Sequence, residues 1–146
     1  MSKGNTFEND LLQLIFNNVD IADIGDAGGL QNSATAGSLY IALHTADPGE
    51  AGNATTSESA YGSYARQAVA RSGAGWTVSG NSATNAALIQ FPECTSGSET
   101  ITHVSITTAV SGASKILYSG ALSASRSVSS GIQPQFAAAA LTVTED

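Results

Sequence analysis

The stretch Ser-Leu-Tyr-Ile-Ala-Leu-His at residues 38–44 decides the fold class, because its large apolar side chains fall on alternate positions. Leu39, Ile41 and Leu43 lie on one face of an extended chain, and the residues between them lie on the other. Such alternation is typical of a β-strand. The Ala-Asp-Pro-Gly segment at residues 46–49 follows, where proline and glycine favour a tight turn. The stretch therefore predicts a strand that ends in a turn.

Downstream of this strand, short segments of β-forming residues recur between glycine-rich and serine-rich breaks. Their spacing is typical of an antiparallel β-sandwich or β-barrel, so we expect a mainly β fold with about seven or eight short strands. Pro134 before the run of alanines at residues 137–140 favours an extended segment there rather than a helix. The predicted strands after the first are residues 64–71, 75–79, 85–91, 101–108, 115–122, 126–128 and 136–144.

Upstream of the strand, residues 5–18 are the segment with helical periodicity. Asn5 or Thr6 is suited to cap this helix, and Glu8 completes a capping-box-like pair with Asn5. An apolar stripe runs along one face, and two further apolar residues widen it. Its width predicts packing on a broad surface, either a sheet or a neighbouring subunit. The stripe consists of Phe7, Leu11, Leu14 and Ile15, and the residues that widen it are Leu12 and Phe16.

The length of 146 residues fits a single domain with one hydrophobic core. We expect residues 1–18 to form an N-terminal helical segment, residues 19–37 a loop and residues 38–146 a β domain. Within the β domain, residues 50–63 are mostly small and polar. This composition predicts an exposed, mobile loop.

The charge of the chain argues against two classes of partner. It has 5 basic and 12 acidic residues, a formal net charge of −7. Nucleic acids and anionic membranes both select cationic surfaces, so we expect neither as a partner. No apolar run approaches the roughly 20 residues of a membrane span, and the first residues lack a signal-peptide pattern, so we expect folding in a cytoplasm. The single cysteine excludes an internal disulfide framework.

Residues suited to catalysis or metal binding are few and scattered. His44 and His103 are the two histidines, and a metal site would require them to meet in space with carboxylates. Asp20, Asp23 and Asp26 lack the ligand spacing of an EF-hand, so we expect a solvated acidic loop. Nucleophile-elbow, phosphate-loop and dinucleotide-binding motifs are absent. We therefore expect no catalytic residues, no cofactor, no metal site and no enzyme activity.

Scarce basic and aromatic residues are instead candidates for protein contacts. Arg66 and Arg71 are expected to be paired with carboxylates or placed at an interface, where arginine is enriched. Their odd spacing directs them to opposite faces of an extended strand. Trp76, the one tryptophan, is expected either in the core or as an interface anchor.

Several stretches together carry a family resemblance that spans most of the chain: residues 3–12, 39–50, 64–69 followed by Trp76, 116–122 and 136–143. In these stretches the chain resembles small virion proteins of tailed bacteriophages. Members of this group are often labelled tail fibre or minor tail proteins, and they also resemble β-rich head decoration proteins of similar size. The resemblance implies a virion structural protein that is made in the host bacterial cytoplasm and assembled on the phage particle.

Of the roles that this resemblance implies, we favour a capsid decoration (cement) protein, because the chain has no repetitive shaft sequence. Such a protein would bind the major capsid protein across capsomer junctions, and itself as a dimer or trimer, and so stabilise the head. The N-terminal helix or the C-terminal segment that begins at Phe136 is then expected at a subunit contact. The alternative is a tail fibre or tail-tip component that contacts the host surface; an envelope hydrolase is the least favoured hypothesis.

Overall fold

The computed structural model describes all 146 residues and confirms a mainly β fold with one N-terminal helix. The helix is followed by nine strands that form antiparallel sheets. The elements are α1 (Asn5–Asn17), β1 (Ser38–His44), β2 (Gln67–Ala70), β3 (Trp76–Ser79), β4 (Ser82–Asn85), β5 (Ile89–Gln90), β6 (Ser98–Thr107), β7 (Ile116–Ser129), β8 (Gln135–Phe136) and β9 (Thr142–Thr144).

The nine strands are divided among three open sheets. The largest has the order β2-β1-β6-β7, the second has the order β3-β4-β9, and the third pairs β5 with β8. None of the sheets closes on itself, so the fold is not a β-barrel, which was one of the two predicted arrangements.

The chain forms two compact units, each built from separate stretches of sequence. The first unit comprises residues 1–38, 69–88 and 136–146, and it contains α1 with the β3-β4-β9 sheet. The second unit comprises residues 39–68 and 89–135, and it contains β6, β7 and nearly all of β1.

Strand β1 confirms the prediction made from residues 38–44 and forms the centre of the second unit's core. It pairs with β6 from Tyr40 opposite Thr107 to His44 opposite His103. Residues 41–44 are all buried, so both faces of the strand are covered. Because β1 lies between β2 and β6 in its sheet, both of its edges are paired as well.

Helix α1 packs against β3 and β4, as its width predicted for a sheet. Its buried residues are Glu8, Leu12 and Phe16, so the two residues taken to widen the stripe are in fact its centre. The predicted capping is wrong: Gly4 is the N-cap, and no side chain caps the first turn. The helix ends at Asn17, because the left-handed backbone conformation of Asn18, the C-cap, breaks the helical hydrogen bonding.

Two of the predicted strands are split by turns around a buried asparagine. The predicted strand 85–91 contains the last residue of β4 and the whole of β5. The predicted strand 136–144 contains the last residue of β8 and the whole of β9. The Asn85 amide donates to the carbonyl oxygens of Ala87 (2.7 Å) and Ala137 (2.8 Å) and accepts from the Leu141 N–H (2.8 Å). These bonds hold the alanine run in a turn, and the prediction of an extended segment there is wrong.

Residues 50–63 are anchored, which corrects the prediction of an exposed, mobile loop. Backbone bonds join the loop to the end of β1, from Thr45 N–H to Ser57 O and from Ser59 N–H to Leu43 O, both 2.8 Å. Ala54 and Tyr61 are buried. The sequence reasoning failed here because small polar residues can satisfy one another in turns and still be covered by distant parts of the chain.

Candidate functional site

The four residues predicted as the helix stripe lie beside the buried face of α1 and keep part of their surface exposed. Phe7 is 39% exposed, while Leu11, Leu14 and Ile15 are half-buried. They form a continuous partly apolar face on one element, because residues spaced by three and four are neighbours on a helix. This helix face is available for a protein contact.

Trp76 occupies the core of the first unit, the first of the two alternatives considered for it. Its side chain is 0% exposed, and its ring lies 4.6 Å from the Phe16 ring, tilted by 57°. The Nε1 atom is buried without a hydrogen-bond partner. Full burial leaves Trp76 no surface with which to anchor a partner.

Phe136, the residue at which the predicted C-terminal contact segment begins, lies in β8 and is half-buried.

Arg71 connects the end of α1 to the end of the following loop. Its Nε and Nη2 atoms donate to the carbonyl oxygens of Ile15 and Leu14, both at 2.7 Å, and its Nη1 atom donates to the Ala36 carbonyl at 3.1 Å. A cation at this point is favourable because the last carbonyls of a helix carry its negative dipole end. The guanidinium therefore makes bonds within the chain. Because Arg71 is half-buried, its place at an interface stays a prediction.

Arg66 makes more hydrogen bonds than Arg71. It is paired with a carboxylate, which was one of the two alternatives expected for it. Its Nε and Nη2 atoms donate to the two carboxylate oxygens of Glu58 at 2.6 and 2.8 Å. Its other donors reach the carbonyl oxygens of Ala109 (2.9 Å) and Gly112 (2.8 Å) and the Ser114 hydroxyl (3.2 Å). The residue is 5% exposed, so it has no surface left for a partner.

Tyr64 extends this cluster towards the central strand. Its hydroxyl donates to Glu58 Oε1 at 3.1 Å and accepts from the Leu43 N–H at 3.0 Å. Burial raises the pKa of Tyr64 above its usual range, and the neighbouring Glu58 carboxylate raises it further. The hydrogen bond to Glu58 raises the pKa of Arg66. We call Glu58, Tyr64 and Arg66 the carboxylate clamp; its charges are matched and fully hydrogen-bonded.

The pairing of β1 with β6 places the two histidines opposite each other, which the sequence did not reveal. His44 Nδ1 lies 2.9 Å from the Thr56 carbonyl and must donate to it, so Nε2 accepts from the Ser105 hydroxyl at 2.7 Å. Desolvation lowers the pKa of His44. Both ring nitrogens of His44 are thus occupied within the chain.

The predicted acidic loop uses its carboxylates to close its own turns. Asp26 Oδ1 accepts from the N–H groups of Gly28 (2.8 Å) and Gly29 (3.2 Å), and Asp20 Oδ1 accepts from the Asn32 N–H (2.6 Å). Gly29 is required here, because a Cβ atom would collide with the Ile21 carbonyl oxygen. The structure contains no group of three or more His, Cys, Asp or Glu residues that could hold a metal ion.

Strand β7 is the exposed feature that the sequence reasoning missed. The two predicted strands 115–122 and 126–128 are one 14-residue strand at the edge of the largest sheet. Residues 119–127 are exposed apart from the half-buried Leu122. A signal was present in the sequence: residues 119–127 contain one large apolar residue, too few to cover either face of a sheet.

No helix combines the length and apolar character needed to cross a membrane.

Comparison with known proteins identifies the lineage of the chain. The sequence model of one protein family, described as Podophage GP4 fiber I protein gp80, matches residues 2–144. No curated protein matches the sequence. The family match confirms the resemblance to tailed-phage virion structural proteins. Because the match spans nearly the whole chain, the protein belongs to the family described as Podophage GP4 fiber I protein gp80, and it is a structural protein of the phage virion.

Proposed function

We propose that the protein is a component of a podophage tail fibre and acts by holding virion subunits in place rather than by chemistry. The observation that carries this proposal is the family match over residues 2–144, whose description names a fibre protein. It favours the fibre alternative over the capsid decoration role preferred from the sequence.

The geometry of the chain supports a mechanical role. The carboxylate clamp anchors the 50–63 loop and the 109–114 turn, and Arg71 anchors the end of α1. Buried charge pairs with all their hydrogen bonds made fix a loop in one arrangement. Surfaces for partners remain on the helix face and on β7.

The partners in this proposal are other virion proteins and further copies of the chain. Repeated copies in a particle strengthen weak contacts, because each contact made raises the effective concentration for the next. A capsid decoration protein would use the same surfaces against the major capsid protein, so the two roles differ in position and copy number rather than in chemistry.

Quantitative mass spectrometry of separated phage heads and tails tests the proposal. A fibre component is expected in the tail fraction, in a small fixed ratio to the other tail proteins. The control is the major capsid protein, which must be confined to the head fraction. Recovery in heads, in proportion to the major capsid protein, would overturn the fibre proposal in favour of decoration.

A further inference from the structure

The two edges of the largest sheet differ in length. One edge is β2, with 4 residues, and the other is β7, with 14 residues. At about 3.4 Å per residue, the length of β7 measured along its chain is about 44 Å. An edge strand presents unpaired N–H and C=O groups, and natural proteins protect such edges by shortening them or by adding charges and proline. The β2 edge is short, whereas β7 is long and contains no proline.

The inner side of β7 is paired with β6 in two regular segments. Tyr118–Ala121 pair with His103–Ile106, and Arg126–Ser129 pair with Ser98–Ile101. Between them, residues 122–125 have no register partner in β6, so the strand bends there. The outer side of the strand has no neighbouring strand in the sheet. Residues 119–121 are exposed, and a Cβ atom on Gly120 would meet nothing within 4 Å.

The distribution of charge favours a second copy of the chain as the partner. The chain has a formal net charge of −7, but none of its 12 acidic residues lies within residues 100–144, which include β7. Two copies with this charge repel each other over most of their surfaces. Along β7 the one charged residue is Arg126, so two β7 strands can approach without carboxylates facing each other.

We propose that β7 pairs antiparallel with β7 of a second copy and joins the two sheets edge to edge. An antiparallel pair of identical strands is related by a twofold axis, so one surface serves both copies. Main-chain bonds along the strand supply the contact, and the small residues at 119–121 and 123–125 let the backbones approach. This inference deepens the proposed function by naming the surface for self-association, and its test in solution is independent of the position in the virion.

Sedimentation velocity of the purified full chain, from about 1 to about 100 µM, measures the association. We expect a dimer whose dissociation constant rises at least about tenfold when Ser119→Lys and Ser123→Lys are combined, since lysine on an edge strand opposes pairing. Both serines are exposed. The matched control combines Ser2→Lys and Ser111→Lys, which add the same charge at exposed positions outside β7. The control is expected to dimerise as the unmodified chain does.

Disulfide trapping tests the same β7 contact independently, including the case in which the lysine variant fails to fold. Ser119→Cys and Ser123→Cys are tested singly under mild oxidation, and the native Cys94 is buried and serves as the background. Trapped dimers are expected from at least one of the β7 variants and not from Ser111→Cys. A chain that is monomeric throughout the concentration range, or a dimer that the β7 lysines leave unchanged, would overturn the proposal.

Discussion

Each compact unit has one arginine whose guanidinium is held by hydrogen bonds within the chain, and the two have different partners. Arg66 has a carboxylate that matches its charge. Arg71 has none and donates to carbonyl oxygens, two of which belong to the end of a helix, and to the Ser33 hydroxyl. Arg66 is 5% exposed, whereas Arg71 is half-buried. A fully buried cation therefore needs an anion to neutralise its charge, whereas a cation that retains contact with water needs only dipoles.

The largest effect is expected from breaking the carboxylate clamp on one side. Arg66→Met leaves the half-buried Glu58 without its ion-pair partner, and we expect a loss of about 2–3 kcal/mol of unfolding free energy. This is less than the loss of about 3–5 kcal/mol for a fully buried pair, because water can solvate part of the carboxylate. Urea denaturation monitored by circular dichroism measures the loss. Lys115→Met is the control, because Lys115 is exposed and is expected to change the stability by less than about 0.5 kcal/mol. An equal, small effect of both variants would contradict the role of the clamp.

Replacement of both charged residues measures how strongly Glu58 and Arg66 are coupled. The double variant Glu58→Leu with Arg66→Met removes both charges of the pair together, so we expect it to be more stable than Arg66→Met alone by at least about 1 kcal/mol. The measurement is the same urea denaturation, arranged as a double-mutant cycle with both single variants. Purely additive losses would show that the two charges are not coupled.

A smaller effect is expected in the first unit. Arg71→Met removes donors from the carbonyl oxygens of Leu14, Ile15 and Ala36, which lie near enough to the surface for water to replace them in part. We expect a loss of about 1–2 kcal/mol, since each hydrogen bond to a charged donor contributes modestly. Thermal unfolding of Arg71→Met beside Arg66→Met checks the order. An equal loss of stability in the two variants would contradict the difference proposed between the two arginine sites.

The smallest effect is a pH dependence, which distinguishes His44 from the arginines. Burial lowers the pKa of His44 in the folded chain below the ordinary 6.5, so the unfolded chain takes up the proton first. The stability from this residue is full above pH 6.5 and falls as the pH drops below it. The charged groups that act on the ring are Glu58, Arg66 and His103.

Urea denaturation at a series of pH values on either side of 6.5 tests this dependence. We expect His44→Gln to flatten the curve relative to the unmodified chain, and His103→Gln to leave most of the slope in place. A slope that survives His44→Gln and disappears with His103→Gln would assign the dependence to the other histidine.

Sequence reasoning succeeded where a local pattern is enough to set the structure. The alternation in residues 38–44 predicted β1 at its observed bounds, and the periodicity of residues 5–18 predicted α1 within one residue of its end. It did not identify which side of α1 is buried, because Leu12 and Phe16 have the same spacing as the pair Leu11 and Ile15. Only the tertiary contacts with β3 and β4 decide between the two faces.

The candidate contact residues were harder to predict, because their partners are distant in sequence. Arg66 binds Glu58 eight positions away but also carbonyl oxygens more than forty positions away. Arg71 reaches back to Ile15, a separation of 56 residues. No local pattern reports such pairs. The same limit explains why the anchored 50–63 loop was predicted to be mobile.

Cryo-electron microscopy of the intact phage particle shows directly where the chain lies in the virion. We expect density into which the chain fits within fibres attached to the tail, with neighbouring copies in contact there. Density for the chain spread over the capsid lattice, at the junctions of the major capsid protein, would contradict the fibre proposal.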